Sequence, residues 1–289
     1  MFITFFRLII RMTRYIEGAI VLSSGQKVFR RSWIADEEKL NVLGIHGFVE
    51  HSGRYDNFGK KLADSGITVN MFDLRGHGRT ATNNDLGVIG NFEDFVSDSI
   101  DYATMLSEEN GGKLFLYGHS MGGLIVLHVL TRNDKHIIGA ITSGPSTIMT
   151  VNPLTKFLLL SMNSVSPGRK VKLPIRPEYL SHDTSVVKSY ISDPLVCKNP
   201  SVNLIYQMYI GSKSIWPSLS KIGVPILMLH GGDDRIVPPK ATQESFEKIG
   251  SEDKKIRIFN GMFHEIHNEV NKEEVYSEII TWLKGHESK

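Results

Sequence analysis

With a single cysteine, Cys197, among 289 residues, the chain has no partner for an internal disulfide. That excludes the disulfide-stapled secreted folds and favours a reducing, cytoplasmic setting. A charge excess is also missing. Lys and Arg total 33 against 31 Asp and Glu, a formal charge of +2, and no block of five or six like charges interrupts the sequence, so nucleic acid is not an implied partner. Nowhere does an apolar run reach the roughly 20 residues of a membrane-spanning helix. The opening "MFITFFRLIIRMTRY" is broken by Arg7, Arg11 and Arg14 and lacks a basic leader and a small-residue cleavage site, which argues against a signal peptide. Residues 1–14 read as an extension, either a short interfacial helix or a segment upstream of an alternative start at Met12. Internal repeats and low-complexity tracts are absent too.

What is present is an ordinary globular composition, 41% hydrophobic and 22% charged, enough for one sizeable core with an insertion. Residues 19–34 read as a hairpin around Ser24-Gly25-Gln26. After them, "LNVLGIH" (40–46), "ITVNMF" (67–72), "LFLYG" (114–118), "IIGAITS" (137–143), "VPILMLH" (224–230) and "KIRIF" (255–259) are near-continuous apolar runs. Such runs suit strands buried on both faces. Helical patterns at 53–65, 91–109, 121–132, 240–249 and 272–284 alternate with them, which predicts an α/β fold with a mostly parallel central sheet flanked by helices. The rhythm fails between Ser143 and Ile222, which enclose eight of the chain's 11 prolines. A structureless loop of that length is implausible in a compact domain. The expectation is a core of 15–143 and 222–289, with 144–221 inserted as a helical cap whose helices lie near 153–165 and 200–210.

"LFLYGHSMGGLIVLHVL" (114–130) holds a Gly-x-Ser-x-Gly pattern. Alone it is weak, but here a strand runs straight into it and a helix straight out, the order a nucleophile elbow requires. Ser120 is the expected nucleophile. The helix that starts at the serine points free N–H groups and its positive dipole end at the site.

A serine hydroxyl needs a base, and the base needs a carboxylate to orient it, in the chain order Ser, acid, His. Of eleven histidines, three lie beyond Ser120 near strand ends of the sheet: His230, His264 and His267. His230 ends a strand and reads as buried beside it. His264 stands in the loop directly after "KIRIF" and is preferred over His267. Asp233 and Asp234 share a turn after "ILMLH". Adjacent side chains diverge, and the Gly231-x-x-Asp234-x-x-Val237 spacing favours Asp234, leaving Asp233 to face solvent or cap a helix. One oxyanion donor is expected from the Met121 N–H and a second from Phe48, after the sharp His46-Gly47 turn. Asp73 and Arg75 of "DLRGHGRT" read as structural ties between loops.

Together "HGFVEHSGRY", "DLRGHGRT", "GHSMGG", "SDPLVC", "HGGDDRIV" and "FHEIHNE" resemble the monoacylglycerol lipase branch of the α/β-hydrolases over nearly all of the chain after residue 15. "EHSGRY" and "SDPLVC" are the more specific of these motifs. The resemblance implies the triad Ser120, Asp234 and His264, the Phe48 and Met121 oxyanion hole, and Glu50, Arg54, His267 and Tyr190 near a glycerol-binding end. It implies an apolar acyl tunnel under the cap, cap helices able to meet a lipid surface, and no metal or cofactor. Cys197 matches a cap cysteine of that branch and reads as a small buried residue rather than a catalytic thiol. Phe48 departs from the smaller residue usual in the branch, and the cap is shorter and divergent over 146–180. The expected activity is hydrolysis of monoacylglycerol through an acyl-enzyme. The alternatives are a lysophospholipase or broader carboxylesterase with the same triad, and a catalytically silent binding protein whose broken triad this sequence does not show.

Overall fold

A computed structural model describes residues 14–36, 40–82, 84–109, 111–132, 135–173 and 175–287. Apart from Arg14, the expectation for the first fourteen residues lies outside these, as does Pro174 of the cap. The strands are β1 (Arg14–Val21), β2 (Lys27–Ile34), β3 (Leu40–Ile45), β4 (Ile67–Phe72), β5 (Leu114–His119), β6 (Ile137–Ser143), β7 (Ile226–Gly231) and β8 (Lys254–Phe259). The helices are α1 (Asp56–Asp64), α2 (Phe92–Glu109), α3 (Met121–Leu130), α4 (Pro153–Val165), α5 (Thr184–Ser192), α6 (Val202–Ser214), α7 (Lys240–Lys248) and α8 (Lys272–Gly285).

All eight strands share one sheet in the order β1-β2-β4-β3-β5-β6-β7-β8. The β1–β2 hairpin closes through the Leu22 N–H to Gln26 carbonyl bond at 2.8 Å, with Gly25 at φ 84°. β2 runs antiparallel to β4, and every pair from β4 to β8 is parallel. Alternate residues along a strand feed opposite faces. Leu43 and Ile45 of β3 and Leu114 and Leu116 of β5 join a core with α2 and α3, while Val42, Phe115 and Tyr117 join a second core with α1 and α8. Burial on both faces is why these strands read as unbroken apolar runs.

The connection leaving β3 therefore passes over one face through α1, and the one leaving β5 over the other through α3. Between these neighbouring strands the winding reverses. A crevice opens at the carboxyl ends of such strands, where ligands of open α/β sheets bind. The loops flanking it are the His46–Glu50 turn after β3 and Ser120 after β5.

Between β6 and β7 lie α4, α5, α6 and a 3₁₀ turn at Trp216–Lys221. Asn152 caps α4 by accepting from Thr155 N–H, and Ser201 caps α6 by accepting from Leu204 N–H. The α6 start at Val202 and its extension to Ser214 correct the expected 200–210, since Pro200 and the Ser201 cap stand before the first turn. The expected helix at 53–65 divides into a 3₁₀ turn, Ser52–Tyr55, and α1. α5 has no counterpart in the sequence reading. It is short, and its apolar residues, Val186, Val187, Tyr190 and Ile191, do not stand out from its polar ones. Asp183 starts it by accepting from Ser185 N–H at 2.9 Å.

Candidate active site

Ser120 occupies a one-residue joint between β5 and α3, at φ 53° and ψ −114°. Among the described residues only Val49, at φ 57°, shares a positive φ without being glycine. Both residues flank the crevice, and each such conformation costs about 1–3 kcal/mol. Two glycines let the elbow close. A Cβ on Gly122 would lie 2.0 Å from the Ile45 carbonyl oxygen, and one on Gly118 would lie 2.3 Å from that of Gly122. The elbow read from the sequence is there, and only glycine fits its two flanking positions.

Asp234, after β7, is buried and fully bonded. Its Oδ1 accepts the N–H groups of Ile236 at 2.8 Å and Val237 at 3.0 Å, while Oδ2 lies 2.6 Å from His264 Nδ1 and 3.0 Å from His230 Nε2. Burial alone would raise this carboxyl's pKa, but His264 and His230 outweigh it and hold it well below the ordinary range. His264, after β8, is buried as well, which disfavours its charged ring. The Asp234 carboxylate more than offsets this, so its pKa is raised. With Nδ1 taken by Asp234, Nε2 is the nitrogen left to exchange a proton. Asp233 faces solvent.

Ser120, His119 and His264 line a cavity of about 600 Å³, together with Phe48, Glu50, Arg54, Ser146, Tyr190 and Glu265. Much of the rest of its wall is apolar and comes from the segment between β6 and β7, including Met149, Leu158, Leu159, Met162 and Met208. The Ser120 hydroxyl bonds to Ser146 Oγ at 3.1 Å. His119 donates from Nδ1 to the Ser143 carbonyl at 3.1 Å, and burial pushes its pKa far down, so the ring is neutral.

A polar cluster sits beside the serine. A Cβ on Gly47 would lie 3.4 Å from Ser120 Cβ and 2.7 Å from Glu50 Oε1. Glu50 accepts from Gly47 N–H at 2.6 Å, Tyr55 hydroxyl at 2.7 Å and Arg54 Nη1 at 2.5 Å. Arg54 also forks onto Glu265, at 2.6 and 2.8 Å, and lies 4.8 Å from the centre of the Tyr190 ring. Burial would raise the Glu265 pKa, but the Arg54 guanidinium brings it to about 2.

The cavity wall thus gathers Ser120, His264, Phe48, Glu50, Arg54 and Tyr190 of the expected residues, with Asp234 behind His264 and Met121 buried at the start of α3. His267 is the exception. It is fully buried behind the wall, stacked on Tyr55 with ring centres 4.8 Å apart and with Nδ1 3.4 Å from the Tyr117 hydroxyl, and burial lowers its pKa to about 4. The ring packs between Tyr55, on which it stacks, and Tyr117, which it meets edge-on, and this ring packing turns it away from the cavity. Glu265 and Ser146 escaped the sequence reading. The position of Glu265 directly after His264 was the available signal for the first. Ser146 carried none, because its approach depends on the loop after β6 folding back, where its N–H donates to the Ser120 carbonyl.

Neighbouring ties fit the structural roles expected for them. Asp73 accepts from Arg31, Ser52 and Arg79 N–H, and Arg75 pairs with Asp98. Cys197 is buried, burial raises its thiol pKa, and its N–H donates to the carbonyl of the strained Val49. His51 Nε2 meets Asp193 Oδ2 at 2.8 Å, tying the β3 loop to the segment after α5.

This sheet, wound about a strand-elbow-helix serine with a helical insertion after β6, defines the α/β-hydrolases. Residues 36–271 match the Hydrolase_4 family, described as serine aminopeptidase, S33, and the chain belongs to that family, in the branch of α/β-hydrolases that includes the human monoglyceride lipase. It is 30% identical to that Homo sapiens enzyme over 91% of this chain and 89% of the relative. The crystal structure of the Paleococcus ferrophilus monoacylglycerol lipase superposes with a TM-score of 0.80 at 30% identity, covering 90% of this chain and 99% of the other. An uncharacterized abhydrolase domain-containing protein of Dictyostelium discoideum is 32% identical over 92% of this chain, which spans 28% of that longer relative.

Proposed function

We propose that the protein is a serine hydrolase that cleaves monoacylglycerol to fatty acid and glycerol, with Ser120, His264 and Asp234 as its triad. The observation that carries this reading is the strained Ser120 turn opening, beside the Asp234-oriented His264, into a cavity that is apolar except for the cluster next to the serine. An ester seated there has its acyl chain among the apolar side chains and its alcohol near Glu50, Arg54 and Tyr190. The names of the human and Paleococcus relatives agree with that substrate.

In the reaction, the Ser120 hydroxyl leaves Ser146 and bonds to His264 Nε2. Oγ attacks the ester carbonyl as its proton passes to Nε2, and Asp234 stabilises the imidazolium through Nδ1. The negative oxygen that develops is met by the N–H groups of Met121 and Phe48, at the positive end of α3. His264 returns its proton to the departing glycerol oxygen, leaving the acyl chain on Ser120. It then deprotonates a water, and the same steps run on the acyl-enzyme.

A lipid surface is the source of substrate in this reading. No described helix is long and apolar enough to cross a membrane, but α4 has no buried residue, and Leu154 and Phe157 are 68% and 65% exposed. Its adjoining face, with the half-buried Leu159 and Met162, lines the cavity. A helix with this two-sided apolar character suits peripheral contact, leading from the lipid surface into the site.

The deciding measurement is turnover on matched monoacylglycerols, lysophospholipids and short-chain esters. Preference for monoacylglycerol over a lysophospholipid of the same chain is expected; the reverse order would replace this substrate assignment with a lysophospholipase.

A further inference from the structure

We propose that His230 is a positioning residue of the triad: it donates a second N–H to Asp234 and so limits how tightly that carboxylate holds the charged form of His264. This rests on the reading of Ser120, His264 and Asp234 given above.

The bonding of the ring places a proton on Nε2. His230 is fully buried, with Nε2 at 3.0 Å from both Asp234 Oδ2 and the Val237 carbonyl, and Nδ1 at 2.6 Å from Thr242 Oγ1. A carbonyl oxygen only accepts, so Nε2 carries a proton. The hydroxyl of Thr242, buried in the first turn of α7, pairs with Nδ1 and holds the ring in this orientation. The ring therefore directs its N–H at the oxygen that also bonds His264. Because Oδ1 is occupied by the Ile236 and Val237 N–H groups, every face of the carboxylate in the plane of its bonds is taken, and the carboxylate cannot turn.

Two donors on one oxygen compete for its charge. The hold of Asp234 on the His264 imidazolium is weaker with His230 present than it would be without it. The other titratable groups around His264 are the neutral His119 ring, with ring centres 4.7 Å apart, the buried His267 ring on the far side of His119, and the carboxylates Glu265 and Glu50, both bonded to Arg54. None of these touches Oδ2. His230 is thus the side chain through which α7, by way of Thr242, bears on the base.

The test compares wild type, H230L and H230Q, reading the His264 ring titration by NMR and the acid limb of kcat/KM on a soluble p-nitrophenyl ester. Leu removes the donor, whereas Gln places its own Nε2 where the imidazole Nε2 stood. H230L is expected to move both midpoints up by about half a pH unit, a roughly threefold loss of kcat/KM on the acid limb. H230Q is expected to return them close to wild type. A folded H230L with an unmoved His264 midpoint, or an H230Q that shifts as far as H230L, overturns the proposal. Should H230L fail to fold, T242V takes its place, with a smaller shift in the same direction expected and no shift counting against the proposal. The NMR midpoint needs no turnover. An inactive protein whose midpoint still moves loses the proposed function and keeps this inference, and an active one whose midpoint stays fixed does the opposite.

Discussion

The hydroxyl of Ser120 lies 3.1 Å from the hydroxyl of Ser146, and the Ser146 N–H also donates to the Ser120 carbonyl at 3.1 Å. The nucleophile's resting partner is therefore a group that cannot take its proton at neutral pH, and attack requires that bond to be exchanged for one to His264. A bond made at rest and lost in the transition state stabilises only the ground state, by about 0.5–1.5 kcal/mol for neutral hydroxyls. S146A is expected to raise the rate of Ser120 labelling by a fluorophosphonate by about two- to twelvefold. A tenfold fall would instead give Ser146 an active part in the reaction.

S120A is expected to abolish fluorophosphonate labelling and lower kcat by at least about 10³-fold, because no other nucleophile stands in its place. D234N keeps the packing but offers a donor to a His264 Nδ1 that should itself donate, and a loss on the order of 10⁴ in kcat is expected. Far-ultraviolet circular dichroism and melting curves of both variants separate lost chemistry from lost structure. An S120A protein retaining full esterase activity would refute the assignment outright.

The pH dependence follows from the signs of two opposed histidine groups. His264 acts as a base only when neutral, and its pKa is raised by Asp234 despite burial, so kcat/KM is expected to fall below a midpoint above 6.5. Stability behaves differently. His46, His77 and His267 are buried and neutral, with pKa values lowered by desolvation to about 4, 3 and 4. Histidines held neutral this way contribute stability that is present above the unfolded value near 6.5 and drains away as pH falls toward the folded values. Chemical denaturation between pH 7 and 4 is expected to show a loss of several kcal/mol across that window. A flat profile there would mean that these rings find charged-state partners.

Much of this was legible in the sequence, and what was not has identifiable causes. Strands buried on both faces leave continuous apolar runs, so β3 to β8 could be placed, and the elbow announced itself by glycines that strand and helix packing demand. Asp234 and His264 followed from their loops after β7 and β8. What failed were matters of direction. The position of His267 three residues after His264 says it is nearby, but only the packed structure shows its ring turned between Tyr55 and Tyr117. Ser146, like the bond from His230 to Asp234, depends on how separate loops meet. α5 has too few residues for its period to stand above its composition.

Arg54 holds two buried carboxylates, Glu50 and Glu265, and its own side chain is 8% exposed. Removing one partner of such a cluster leaves the others unpaired, at a cost of about 3–5 kcal/mol. R54A is therefore expected to destabilise the protein by about that amount in urea denaturation. It is also expected to lose monoacylglycerol turnover more than turnover of a p-nitrophenyl ester, which presents no glycerol to the cluster. Glu265 should make the loss pH-dependent. Its folded pKa near 2 lies below the ordinary carboxyl value, so the pair's contribution is present above about 4.3 and is lost as pH falls toward 2. Equal losses on both substrates would confine Arg54 to a structural role.

The outer face of α4 offers the cleanest separation of surface from site. Leu154 and Phe157 are largely exposed, whereas Leu159 and Met162, on the adjoining side of the helix, are half-buried and line the cavity. If the outer face meets lipid, replacing it should change delivery of substrate but not the chemistry at Ser120. L154S/F157S removes two large apolar side chains from water-exposed positions, so folding stability should change by no more than about 0.5 kcal/mol. Each side chain, once inserted in a lipid interface, contributes on the order of 1.5–3 kcal/mol of burial. The double variant is therefore expected to bind phosphatidylcholine vesicles at least about tenfold more weakly in a flotation assay. Turnover of vesicle-borne monoacylglycerol should fall in parallel, while kcat/KM on a soluble short-chain ester stays near wild type. Unchanged vesicle binding would show that α4 does not dock there, and an equal loss on the soluble ester would show that the two residues act on the cavity itself.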